Sequence, residues 1–127
     1  MVIPIDLPQL LAVAETLPND PRVDDLGILT CACDRLSAVA LEREVYPTLR
    51  YKAAALPEQL ARHDPLEHSN YQFAWLAVRE FARLNGYRLE AEAKDAQALV
   101  LGVRAYEIEL PDSARTLSSW WEPVGTA

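Results

Sequence analysis

Two cysteines, four glycines and one methionine among 127 residues leave little material for several common architectures. Cys31 and Cys33 cannot staple a small secreted domain. Two positions apart on a helix they point about 200° away from each other, so they do not bridge. They read as reduced core thiols of a cytoplasmic protein, and a soft-metal site would need further Cys or His ligands nearby. No run of 18 apolar residues exists to cross a membrane, and Met1 to Pro8 lacks a basic stretch followed by a long apolar one, so no secretory leader is expected. Basic residues are scarce as well: 12 Lys and Arg against 19 Asp and Glu give a formal charge of −7, with a pI near 4.7. The bases are scattered, and such a surface repels a phosphate backbone, which argues against nucleic acid as a partner.

What the chain does have is apolar material. Half of its residues are hydrophobic, enough for one domain spanning 1–127 to bury a core without staples. Asp6-Leu7-Pro8 has the form of an N-cap with proline in the first turn, and Leu10, Leu11, Val13 and Ala14 continue a short helix towards Pro18. Asn19-Asp20-Pro21 makes a turn. A second helix runs from about Asp24 to Leu36, with Ile28, Leu29, Ala32 and Leu36 at helical spacing and Gly27 weakening it by about 1 kcal/mol. Ser37 to Pro47 lacks a helical period and ends at Tyr46-Pro47, where proline favours extended backbone, so a flap or short strand is expected. Thr48 can cap a third helix through the alanines 53 to 55, which Pro57 should kink or restart before Leu60.

Ser69-Asn70-Tyr71-Gln72 has the S-x-x-Q form of a capping box. It opens a long helix in which Phe73, Ala74, Leu76, Ala77, Phe81 and Leu84 form one apolar face, and Asn85-Gly86 ends it. Ala93 to about Tyr106 forms a further helix, and Pro111-Asp112 introduces a last one carrying Leu117, Trp120 and Trp121. The three tryptophans, Trp75 included, read as packing residues.

Several of these segments resemble the Doc branch of the Fic family. Tyr46-Pro47-Thr48-Leu49, Lys52-Ala53-Ala54-Ala55-Leu56 and Leu60-Ala61-Arg62 are similar to the run that precedes the active-site loop. Phe73-Ala74-Trp75-Leu76-Ala77 and Arg83-Leu84-Asn85-Gly86-Tyr87-Arg88-Leu89 are similar to the central helix and its exit. Val23 to Leu29 resembles the early helix, and Ala98 to Leu101 the late one. The resemblance implies an all-α bundle around a central helix, here the one opening at Asn70, with a short flap segment.

In that family the loop before the central helix has the form H-P-(apolar)-x-(D/E)-G-N-K-R. Its His acts on the attacking hydroxyl in AMP or phosphate transfer, its acid helps place a metal, and Gly-Asn with the basic pair cradles nucleotide phosphates. Laid on Asp64-Pro65-Leu66-Glu67-His68-Ser69-Asn70-Tyr71-Gln72, the pattern puts Asp64 at the His, His68 at the acid, Ser69 at the Gly, and Tyr71 and Gln72 at the basic pair. Pro65, Leu66 and Asn70 match. The other register, with His63 at the His position, requires a one-residue insertion before Asn70.

Losing both basic groups removes about 3 to 6 kcal/mol of polyphosphate binding, at about 1.5 to 3 kcal/mol for each charge-assisted hydrogen bond. That is about two to four decades of affinity. Glu67 adds negative charge beside Asp64, and the Ser69 side chain narrows a backbone approach that glycine leaves open. The loop should therefore favour a neutral or cationic small molecule over ATP, and the expected activity is acid–base chemistry by a repurposed Fic-fold enzyme. Asp64 would be the base or the orienter of His68, His68 the general acid or base, and Tyr71 a third proton-exchanging group. Tyr46, His63, Glu67, Ser69, Asn70 and Gln72 would contact the substrate, with Asn70 and the first helical amides stabilising developing negative charge. Under this reading Asp64 and His68 share one pocket, and replacing either leaves stability nearly unchanged.

The resemblance also implies a Doc-like toxin that transfers phosphate or AMP to a translation factor, or an inactive member of a toxin–antitoxin module held by an antitoxin peptide. The plainest alternative makes Ser69 and Gln72 helix caps and His63, Asp64, Glu67 and His68 solvated loop residues. No cofactor is implied. His63, Asp64 and His68 are not expected to hold a metal, because adjacent residues rarely face one ion.

Overall fold

The computed structural model describes residues 1–124. Within them lie six helices: α1 (Leu7–Glu15), α2 (Leu26–Leu36), α3 (Leu49–His63), α4 (Asn70–Leu84), α5 (Ala93–Arg104) and α6 (Leu110–Ser119). Two small antiparallel ribbons complete the chain, β1 (Val39–Ala40) with β2 (Arg43–Glu44), and β3 (Tyr87–Leu89) with β4 (Trp121–Pro123). The all-α expectation holds, and β1–β2 is the expected flap, turned by Leu41 and Glu42 with φ of 52° and 65°, as a two-residue hairpin turn requires. No helix among the described residues is long and apolar enough to cross a membrane.

Local sequence explains the helix starts. Asp6 and Gln9 form a reciprocal capping box on α1, Asp25 accepts from the Gly27 amide to start α2, and Thr48 accepts from the Tyr51 amide to start α3. Packing explains the rest. In α3 every residue from Lys52 to Pro57 is buried, because α2, α4, α5 and α6 surround it. Ala53, Ala54 and Ala55, all fully buried, let those neighbours approach closely. Phe73, Ala74, Ala77, Val78, Phe81 and Ala82 line the inner face of α4, which packs on α1, α3 and α5. Full burial of a side chain such as Phe73 or Phe81 stabilises by about 1.5 to 3 kcal/mol. The centre is thus a pair of helices, with α3 the more enclosed and the expected α4 beside it.

Four local expectations are corrected. α3 runs without interruption through Pro57, whose ring is buried within the bundle, so contacts on four sides outweigh the missing amide bond. Trp121 lies in β4, opposite Leu89 and 5.0 Å from the Tyr87 ring, not in the last helix. Strands of three residues are too short to show an alternating pattern. Cys31 is exposed and only Cys33 is half-buried, because helical spacing sends one of the two outward. Ser69 precedes α4 but does not cap it with its side chain.

Gly102 marks a close approach between α5 and the chain that follows it. Its carbonyl accepts from the amides of Glu107 and Ile108 at 2.9 and 3.1 Å, and an added Cβ would lie 2.9 Å from Ile108 Cγ1 and collide with Cδ1. Gly102→Ala is expected to destabilise the protein by about 1 to 3 kcal/mol, the usual range for overpacking, measured by urea unfolding. Unchanged stability would show that Ile108 moves aside freely.

Candidate active site at the α3–α4 loop

The loop between α3 and α4 is fixed from two sides. Pro65 and Leu66 are buried, and their backbone is clamped from outside by the segment before α2. The Asp24 and Asp25 amides donate to the Pro65 carbonyl at 2.8 and 3.1 Å, and the Glu67 amide donates to Arg22 O at 2.9 Å. The Arg22 amide returns a bond to Glu67 Oε1 at 2.9 Å. From inside, Asn70 Oδ1 accepts from the Leu66 amide and Asn70 Nδ2 donates to the Leu66 carbonyl, both at 2.9 Å. Both ends of the loop are left-handed, Asp64 with φ of 46° and Ser69 with φ of 65°. Such a conformation costs a non-glycine residue about 1 to 2 kcal/mol.

Asp64 does not meet His68. Its carboxylate takes both Nη atoms of Arg104, the last residue of α5, with Nη2 to Oδ2 at 2.7 Å. Arg104 Nη1 also donates to the Ala61 carbonyl at 2.7 Å, closing the final turn of α3. Hydrogen bonding from Arg104 holds the Asp64 carboxyl below the usual carboxylate range; burial, the next influence in size, opposes this, and the Arg104 and His63 charges reinforce it. The Arg104 guanidinium is raised in turn, first by its bond to Asp64. His68 Nδ1 lies 2.8 Å from Ser69 Oγ. Among the described residues no hydrogen bond joins Asp64 to His68, so the proton-transfer pair expected from the sequence is not formed. An ionised carboxylate with a lowered pKa is also a weak base at neutral pH.

A cavity of about 310 Å³ sits over the loop, lined by Asp64, Leu66, Glu67, Asn70, Tyr71, Leu101 and Arg104. The structure therefore brings together Asp64, Glu67, Asn70 and Tyr71 of the expected site. Tyr46 lies elsewhere, its hydroxyl accepting from Arg35 Nε at 2.8 Å. His63 is exposed at the end of α3, and neither His68 nor Ser69 lines the cavity. Gln72 faces an apolar groove between α4 and α5, together with Leu17, Trp75, Leu76 and Val100, and its Oε1 is buried without a partner. Asn70 spends its side-chain oxygen and one N–H on Leu66, which leaves its second Nδ2 N–H as a donor.

Sequence reasoning missed Arg104. It lies 40 positions from Asp64, and no local pattern couples the two. Its place follows from tertiary contacts: Arg62 Nε donates to the Val103 carbonyl at 2.8 Å and its guanidinium lies 4.0 Å from the Tyr106 ring centre. Glu58 holds Arg62 at 3.5 Å and also pairs with Arg35. These contacts tie the end of α5 to α3 and set Arg104 over Asp64.

An all-α bundle with a flap and a clamped loop ahead of a buried helix defines the Fic/Doc-like class of helical proteins. No family model matches the chain. The chain is 34% identical over 101 residues to the Toxin Doc of Mycolicibacterium smegmatis, a match covering 78% of this chain and 78% of that relative. The chain belongs to the Doc toxin family.

The Asp64–Arg104 pair gives a pH-dependent prediction. Because the folded carboxyl has a lowered pKa, its stabilising contribution is fully present above the unfolded value near 3.9 and is lost as pH falls through the lower folded value. Asp64 and Arg104 side chains are 45% and 43% exposed, so the pair is worth about 1 kcal/mol or less. Asp64→Asn should lower the melting temperature at pH 7, and the deficit should shrink below about pH 4. A deficit independent of pH would mean that the carboxylate charge contributes nothing.

Proposed function

We propose that this chain is the Doc-like component of a toxin–antitoxin module. The observation that carries the proposal is its identity to Toxin Doc across 78% of both chains. Within that role, a protein that acts by binding is the better-supported reading. In the register that places Asp64 at the family's His, that residue is an ionised partner of Arg104. Tyr71 and Gln72 stand where the family carries its basic pair, and Gln72 faces away from the loop cavity. ATP should then bind weakly at this loop. Acid–base chemistry on a small molecule has less support, since it relied on contact between Asp64 and His68.

An antitoxin peptide has a place to lie. Tyr71 lines both the loop cavity and the apolar groove, and Leu76 joins that groove to a further hollow edged by Arg79, Arg83 and Arg88. Tyr71, Trp75 and Leu76 form an apolar middle along this surface, and the charges at its two ends are largely paired, Asp64 with Arg104 and Glu67 with Arg22 at the loop, Arg83 with Glu80 and Arg88 with Glu90 at the far end. A peptide with an apolar central stretch would match the groove in burial.

Three measurements test this proposal. Induced alone in a bacterial host, a transferase toxin arrests growth and labels a protein from ATP; the binding reading expects no labelling and no calorimetric ATP affinity in the low micromolar range, with or without magnesium. Labelling that disappears in Asp64→Ala would overturn the binding reading and favour the transferase. Gln97→Trp, which fills the groove from its exposed edge, should weaken capture of the protein encoded next to this gene at least tenfold, while unchanged capture would remove the groove from the proposal.

A further inference from the structure

On the other side of the bundle from the α4–α5 groove, Lys52 carries a buried ammonium that the loop does not use. The residue is 4% exposed, although lysine is almost never buried without compensation. Its Nζ donates to the Leu36 carbonyl at 2.6 Å and to Glu44 Oε1 at 3.0 Å. An ammonium has three N–H donors. The third has no acceptor among the described residues, and Lys52 lines a cavity of about 500 Å³, within the size range of small-molecule sites. The walls are mainly apolar, with Val2, Pro4, Leu36 and Phe81.

The wall formed by the N-terminal segment is anchored. The Ile3 amide donates to Asn85 Oδ1 at 2.6 Å, Asn85 Nδ2 donates to the Ile3 carbonyl at 2.9 Å, and Ile5 is buried in the core. We propose that this cavity binds a small, mostly apolar, uncharged molecule that carries one hydrogen-bond acceptor, held by the free N–H of Lys52. Charge decides the class. An anionic ligand would approach Glu44, which already neutralises the ammonium, and a cationic one would approach the ammonium itself. A carbonyl or ether oxygen satisfies the third N–H without leaving a net charge buried. Cys33 also lines the cavity, and burial pushes its thiol pKa up, so it stays neutral and a poor nucleophile. Cys33 therefore takes no covalent part in binding. Because Glu44 belongs to β2, an occupant beside Lys52 also touches the contact that holds the flap.

The test titrates the full isotope-labelled chain by NMR with cyclohexanone, with methylenecyclohexane as the same shape without the oxygen, and with cyclohexanecarboxylate as the anionic counterpart. Cyclohexanone is expected to shift the amide signals of Leu36, Ser37 and Glu44 saturably. It should bind about tenfold to a hundredfold more tightly than the hydrocarbon, the share of one hydrogen bond to a charged donor, and more tightly than the carboxylate. Val2→Trp, which fills the mouth of the cavity, should abolish the shifts. Lys52→Met, where the variant keeps the native helical spectrum, should bring ketone and hydrocarbon to equal affinity. Equal affinities in the unaltered chain, tighter binding of the carboxylate, shifts that persist in Val2→Trp, or no saturation would each overturn the proposal.

Discussion

Burial of α3 on four sides determines where the loop site and the Lys52 cavity lie. Its N-terminus follows the flap, its first turn carries Lys52, and its C-terminus delivers Asp64 to the loop. A helix enclosed by α2, α4, α5 and α6 cannot shift without disturbing a close-packed core, so these three features are held in fixed relation to one another. The charged groups on α3 follow the same constraint. Glu58 is shared by Arg35 and Arg62, and Lys52 reaches the Leu36 carbonyl and Glu44. Breaking one partner of such a pair leaves a charge in a place where water cannot compensate it. The polar contacts of α3 thereby select its orientation, while apolar burial supplies the driving force.

Much of this frame was legible in the sequence because its signals are local. Asp6 before Leu7-Pro8, Thr48 before Leu49 and Gly86 after Asn85 are helix-end chemistry, and each acts within a few residues. The apolar face of α4 repeats at 3.6 residues and could be read directly. Pro57 misled because its cost is local while the compensation, contacts with four helices, is not. Trp121 misled for a related reason: β4 exists because β3 lies opposite it, and three residues hold no period of their own.

The site was less legible than the fold, and the reason is electrostatic. Asp64, His68 and Tyr71 are residue types able to exchange protons, but a residue's type does not reveal its partner. Asp64 found a guanidinium 40 positions away, which turned a candidate base into a stable anion. Ser69 has the spacing of a capping residue, yet its left-handed backbone sends its hydroxyl to His68 rather than to the amides of α4. Asn70, the one polar position that matches the family loop, is occupied in holding Leu66.

Asn70 holds the loop through the backbone of Leu66 and not through any side chain. The left-handed backbone at Asp64 and Ser69 is strained for side chains of these types, and strain persists only where surrounding structure over-determines it. Here the over-determination comes from backbone groups and from packing: Pro65 and Leu66 are buried, their peptide groups are bonded to the segment 22–25 and to Asn70, and Arg104 closes the turn at Ala61. None of these contacts needs an imidazole at position 64, an acid at 68, or bases at 71 and 72. The side chains at 64, 68, 71 and 72 are therefore separable from the groups that shape the loop. Of the four, only Asp64 and Tyr71 line the cavity, so a change of side chain there alters its chemistry while the clamped backbone of Pro65 and Leu66 stays in place.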